Sequence, residues 1–289
     1  MKKVLFVYLI LFLSLFIFYT GVVTHEQLKI KNDVREFIKD AKKVYESDTR
    51  VYYEVDKENP HPDMSIFNNR NKEYLGLPGD VFVNFHGPYP ENPTWNAIFS
   101  YYVGGHTALI GQNNIVYEST GFSGEDEPPI DFILYPNSGY DKFSDIGASD
   151  SGNYWNNPRY GDTSIYHGYY TNEWAGLRVT NSSAETQAAA AAEAKRIVDS
   201  KDEGLYNFVI FLNTKSKYYC GDLVSRAWGA IFSTKDENRK INIAKTSLFV
   251  SSFDMMLSNQ TYMYLYVKLD DAGRQNVYYL KNNIDKWEV

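Results

Sequence analysis

Twenty uncharged, mostly apolar positions, Val4 to Val23, follow Lys2 and Lys3. At the rise of an α-helix that run is long enough to cross a bilayer. The pattern then turns amphipathic. Val34, Phe37, Ile38, Ala41, Val44 and Tyr45 recur at three- and four-residue steps through NDVREFIKDAKKVYE and predict a helix that continues the span as a stalk. Residues 58–80, ENPHPDMSIFNNRNKEYLGLPGD, are polar and broken by Pro and Gly, and read as a linker. Strand-like runs follow: DVFVNF (80–85), AIFSYYV (97–103), HTALIG (106–111) and IVYEST (115–120), of which three or four predict an antiparallel meander, then WAGLRVT (174–180). Ser182 with Glu185 has the capping-box spacing ahead of an alanine-rich helix ending near Ser200. LYNFVIF is a further apolar run, and TYMYLYVKL and NVYYLKN around DDAGRQ predict a closing hairpin.

Between Gly121 and Tyr170 periodicity fades into a tyrosine-rich stretch that also holds Trp155. Long irregular segments in compact domains are commonly functional, and the aromatics favour an ordered, substrate-facing loop. The aspartates in this stretch do not follow the spacing of a calcium loop. Three regions result: residues 1–24 as signal anchor or signal peptide, 25–64 as juxtamembrane helix and linker, and 65–289 as the globular domain.

Composition narrows the function. A net charge of −7, with no cluster of Lys or Arg, argues against nucleic acid as a partner. GVVTHEQ, after the apolar run, lacks a small-residue cleavage site, and the sole cysteine lies at 220, far from any lipid-attachment position. An uncleaved anchor at residues 4–23 is therefore favoured over a removed signal, with the rest of the chain outside the cytoplasm and a secreted form as the alternative. One cysteine permits no intramolecular disulfide.

That cysteine stands in KYYCGDLVSRAWGAIF, where Leu223, Val224, Ala227, Trp228 and Ile231 give a helical stripe and place Cys220 at or just before the first turn. Unpaired backbone N–H groups and the helix dipole favour a thiolate there, though most free cysteines are simply small buried hydrophobes. A catalytic thiol needs a base. Of five histidines only His106 begins a convincing strand, after Gly104 and Gly105, whose small size would leave its ring accessible. Glu118 is the candidate to orient that ring. If Gly111–Asn113 form a three-residue loop, Ile110 opposes Asn114, His106 opposes Glu118 and the two side chains share a face. A loop of two or four residues would put them on opposite faces.

PGDVFV, GGHTALIG, IVYEST, LRVT, LYNF and YYCGDLVSRAW, in that order and followed by FVSSFDMMLSNQTYMYLY, resemble the YiiX-like branch of the permuted papain-fold, NlpC-type cysteine hydrolases over residues 77–265. The resemblance implies an α+β, circularly permuted papain-like fold, an antiparallel sheet packed against helices, here preceded by a hydrophobic helix. It implies Cys220 as nucleophile, His106 as base and Glu118 as third member, with no metal and no organic cofactor. The chain departs from that branch in having Gly221 and Asp222 where the family has Ser-Glu, and in the length of the 121–170 stretch. The leading expectation is a thiol hydrolase cleaving an amide, most plausibly in a cell-wall (peptidoglycan) peptide. A lipid-directed thioester acyltransferase or acylhydrolase of the same fold, and a non-catalytic surface binding protein, are the alternatives.

Overall fold

The structure is a computed structural model that describes residues 2–68, 75–86, 93–102, 104–113, 115–119, 146–150, 152–155, 172–200, 218–232, 243 and 250–286. Its elements in chain order are α1 (Lys2–Ile38), β1 (Lys42–Glu46), β2 (Arg50–Val55), β3 (Val81–Asn84), α2 (Pro93–Tyr102), β4 (His106–Ile110), β5 (Ile115–Ser119), β6 (Ile146–Asp150), α3 (Gly152–Trp155), β7 (Glu173–Val179), α4 (Ala184–Asp199), α5 (Cys220–Phe232), α6 (Ser252–Met256), β8 (Thr261–Leu269) and β9 (Gln275–Leu280). The fold is mixed α+β. Nine described strands form one sheet in the order β1-β2-β9-β8-β7-β3-β4-β5-β6. Every neighbouring pair is antiparallel except β2 with β9, so the sheet is mixed where a purely antiparallel one was expected.

Alternation along the strands divides the core. Phe82, Ala108, Ile110 and Val116 face one cluster with Val23, Ile30 and Phe37 of α1, whereas Val81, Val83, Leu109 and Leu177 face α4 and α5. On α4 the alanines 190, 191 and 194 are buried, and their small side chains let the helix lie close against α5. The cap of α4 falls one residue later than Ser182 with Glu185 suggests: Ser183 caps, and Thr186 completes the reciprocal pair. Ser182 instead donates to the Val179 carbonyl.

Three other segments differ from their patterns. The stalk helix stops at Ile38, and Lys42–Glu46 turns back as an edge strand in which Tyr45 pairs with Tyr52 of β2 and Val44 is the extra residue where the register shifts. Folded structure therefore begins well before residue 65, because β2 pairs with β9 near the chain's end. Residues expected as linker also pack, with Ile66, Phe67 and Leu75 buried. AIFSYYV lies mostly in helix α2, not in a strand; Pro93, at its first position, supplies the start signal that the aromatic run obscures. LYNFVIF lies outside the described residues.

The chain's internal anchor is Asp80, just before β3. Its carboxylate accepts Arg178 Nε and Nη2 at 2.8 and 2.7 Å, the Leu77 N–H at 2.8 Å and Gln187 Nε2 at 3.1 Å, while its carbonyl accepts the Ile110 N–H at 2.8 Å. Burial acts to lower the Arg178 pKa, but the adjacent carboxylate outweighs it and the net direction is upward. Removing one partner of such a buried pair strands the other charge. Asp80→Ala should therefore lose about 3–5 kcal/mol in denaturant unfolding of the full chain. A loss below about 1 kcal/mol, the range of an exposed pair, would show that Arg178 does not depend on it.

Candidate functional site

β4 and β5 pair with Ala108 opposite Glu118, Leu109 opposite Tyr117 and Ile110 opposite Val116, and the Gly111 N–H donates to the Ile115 carbonyl at 2.7 Å. The pairing thus closes at Gly111 and Ile115, with Asn113 left-handed at φ 57°, so that the register lies one position later than the Gly111–Asn113 loop expected. An odd loop preserves parity, so His106 and Glu118 still share a face, but they are diagonal neighbours instead of opposite ones. Diagonal positions lie roughly 7–8 Å apart. A glutamate is long enough to span that gap: Glu118 Oε2 lies 2.8 Å from His106 Nε2.

Gly104 and Gly105 deliver His106 into this position with φ of 87° and 88°. A Cβ on Gly105 would lie 2.1 Å from the Asn84 carbonyl oxygen, so this turn needs glycine both for its dihedral and for its close approach to the backbone after β3. The expectation that the glycines expose the ring is corrected. His106 is 4% exposed and Glu118 1%. Behind the carboxylate, Tyr154 of α3 donates to Glu118 Oε2 at 3.3 Å and packs against the rings of Phe82 and Trp174. Sequence reading missed Tyr154 because it lies in the aperiodic 121–170 stretch. The described parts of that stretch, β6 and α3, extend the sheet and back Glu118; the remainder lies outside the described residues.

Cys220 is the first residue of α5, 7% exposed, and in side-chain hydrogen-bond contact with His106. α5 packs on the face of Leu109 while Glu118 lies with Ala108 on the other, so thiol and imidazole meet at the sheet's end, where β4 starts. With Nε2 held by Glu118, Nδ1 is the nitrogen left for the sulfur. Three interactions fix the helix start. Trp228 Nε1 donates to the Gly79 carbonyl at 3.1 Å, Ser119 Oγ to the Tyr218 carbonyl at 2.9 Å, and the Val250 N–H to Tyr219 Oη at 2.7 Å. Gly221 has a steric reason: a Cβ there would come within 2.2 Å of the Val250 carbonyl oxygen. Asp222 binds Arg226, whose guanidinium lies over Tyr218.

Electrostatics couple the three groups. Burial acts to lower the His106 pKa, but hydrogen bonds to Cys220 and then Glu118 outweigh it and push it up to about 9. Burial acts to raise the Cys220 pKa, yet the His106 hydrogen bond and charge, with a smaller contribution from Thr107, bring it below the ordinary thiol value. The first helical hydrogen bond of α5 runs from the Leu223 N–H to the Tyr219 carbonyl, so the N–H groups of residues 220–222 precede the helical ladder and can face a developing anion.

The other histidines stand apart. His61 commits both ring nitrogens, to Tyr262 Oη and the Ser182 carbonyl, and His86 lies 3.9 Å from Glu173. His25 is exposed on α1, and His167 is outside the described residues. Among the described residues no group of three or more His, Cys, Asp or Glu is gathered as for a metal ion. Comparison with protein-family models, with curated proteins and with solved structures finds no match to this chain.

A depressed thiol pKa makes the sulfur reactive at lower pH than a free cysteine. Alkylation by iodoacetamide should therefore rise at lower pH than that of a free thiol, whose pKa is about 8.5. Glu118→Gln removes the negative charge that favours imidazolium, lowers the His106 pKa and moves the alkylation curve to higher pH. A wild-type curve centred near pH 8.5 and unmoved by His106→Ala would mean that no ion pair forms.

Proposed function

We propose that this protein is a membrane-anchored, extracytoplasmic cysteine hydrolase of the permuted papain-like type, cleaving an amide, with a cell-wall peptide as the favoured substrate. One observation carries the reading: a thiol at a helix start, an imidazole in contact with it and a carboxylate 2.8 Å from the far ring nitrogen, in a single buried cluster. The order of these residues, histidine and acid before cysteine, is the order the permuted family requires.

The thiolate of Cys220 attacks the carbonyl carbon, and the negative charge that develops on its oxygen faces the helix-start N–H groups. His106, protonated, gives its proton to the leaving nitrogen as the C–N bond breaks, leaving a thioester. Water then attacks the thioester, His106 takes the water's proton, and the acid leaves as the thiolate reforms. Glu118 fixes the ring and stabilises its positive form. No step requires a metal or an organic cofactor.

Anchoring rests on α1. Its 36-residue helical segment Lys3–Ile38 contains an 18-residue apolar window of mean hydropathy 2.4 that is only 6% buried. Large side chains from Val4 to Phe18 are exposed, whereas Tyr19 donates to the Tyr102 carbonyl and Gln27 to that of Tyr101. This close seating of the domain favours lipid-directed acyl transfer as the second reading, since the same thioester can be resolved by an alcohol. Peptidoglycan fragments and phospholipids incubated with the full chain separate the two by released amine or released fatty acid.

Cys220→Ala should abolish turnover in either assay while the chain stays folded. Because the acid reaches its partner diagonally, Glu118→Gln should keep the contact and lose only part of kcat, about tenfold, less than the roughly 10²–10⁴-fold that an acid–base group itself contributes. Glu118→Asp, one methylene shorter, should lose the contact and behave like Glu118→Ala. Equal activity of the Asp and wild-type proteins would remove the orienting role.

A further inference from the structure

Below its exposed apolar half, α1 descends onto the domain, and between it, α2 and the ends of β3, β7 and β8 runs a groove of about 670 Å³. Ile30, Val34, Phe85 and Phe253 give it apolar walls, and Lys31, Arg35 and Lys268 line it together with Glu173. Glu173 is already engaged: it accepts the Tyr266 hydroxyl at 2.6 Å and lies 3.6 Å from Lys268. Lys31 and Arg35 are exposed and form no ion pair with a described residue, although Lys29 on the same helix pairs with Asp33, and Lys39, just past its end, pairs with Glu36. Two cations one helical turn apart repel, a cost that a bound anion reverses.

Their height along α1 suits an anion of the membrane surface. Lys31 lies eight residues past Val23, the last position of the apolar run, hence about 12 Å farther along the helix axis. Helical side chains lean toward the N-terminus, here toward the bilayer, and long basic side chains extend their charge to the headgroup layer. We infer that this groove binds a phospholipid with an anionic headgroup, Lys31 and Arg35 holding the phosphate while the apolar walls take the start of its acyl chains. The bound lipid seats the domain against the membrane and is distinct from whatever Cys220 attacks. The inference rests on reading α1 as a retained anchor.

The test is native mass spectrometry of the full chain purified from membranes in a maltoside detergent, titrated with dioleoylphosphatidylglycerol or dioleoylphosphatidylcholine. The phosphatidylglycerol adduct should dominate, and Lys31→Gln with Arg35→Gln should weaken it about 10- to 30-fold, at roughly 1 kcal/mol per basic residue near an anionic surface. Lys29→Gln with Lys39→Gln, the same change in net charge on residues outside the groove lining, should leave it unchanged. Ala97→Trp, which fills the groove without altering charge, should also weaken it. Equal adducts with the two lipids, equal losses in the two double variants, or displacement of the lipid by millimolar inorganic phosphate would overturn the assignment. The same spectra give the chain's mass. A chain shortened at its N-terminus that keeps lipid selectivity refutes the anchor and leaves the groove, whereas an intact chain without selectivity refutes the groove alone.

Discussion

A buried carboxylate, Asp80, sets the frame in which the rest of the molecule is placed. It reaches the start of β3 through its own backbone, the end of β4 through the Ile110 N–H, β7 through Arg178 and α4 through Gln187. One residue earlier, the Gly79 carbonyl accepts the indole of Trp228 from α5. Both helices on one face of the sheet are thus tied to a single turn. An ion pair this deep contributes little net stability over an apolar substitute, because desolvation offsets much of its attraction. What it contributes is register: the carboxylate is satisfied only when β7 and α4 stand at one position, the carbonyl of the same residue holds the end of β4, and the same turn then fixes α5, whose first residue is Cys220.

The histidine and the acid obey a different constraint, the two-residue period of the pleat. An odd loop puts them on one face, and a one-residue shift of that loop changes their separation without changing the face. The shift is absorbed by side-chain length, since a glutamate reaches the diagonal neighbour that an aspartate would fall short of. Burying three ionisable groups together is costly unless each stabilises another's charge. Here the imidazole lies between thiol and carboxylate, both of which raise its pKa, and the Tyr154 hydroxyl takes a further contact on Glu118.

The parts of this arrangement readable in the sequence are those set by short-range periodicity. The stripe of α5, the alternation of β4 and β5 and the β8–β9 hairpin are local patterns, and Cys220, His106 and Glu118 could be named from them. Patterns that serve two structures equally were not decided by composition. AIFSYYV is as aromatic and β-rich as a strand, yet Pro93 starts a helix there and Tyr101 and Tyr102 are spent on contacts with α1. Lys42–Glu46 continues a helical stripe but is recruited to the sheet's edge by β2, whose own partner lies more than 200 residues along the chain. Tyr154 is of the same kind: only tertiary packing brings it behind Glu118. The papain-like permutation itself is a matter of order and resemblance, which sheet topology alone leaves open.

The helix α1 and the Cys220–His106–Glu118 cluster are joined by a short piece of chain. α2 ends at Tyr102, whose carbonyl accepts Tyr19 of α1 and whose hydroxyl lies 3.2 Å from Thr20 Oγ1; four residues later His106 begins β4. Between them, Gly104 lies against the ring of Phe253, close enough that a Cβ would stand 3.0 Å from it, and Phe253 also lines the groove beneath α1. Residues that hold α1 and the histidine of the cluster therefore share one continuous backbone segment and one aromatic wall. A tilt of α1 relative to the domain would be felt first at Tyr101 and Tyr102, then at the glycine turn, whose close backbone contacts leave it little room to absorb the displacement. Such a connection makes the seating of α1 one of the determinants of where the His106 ring stands.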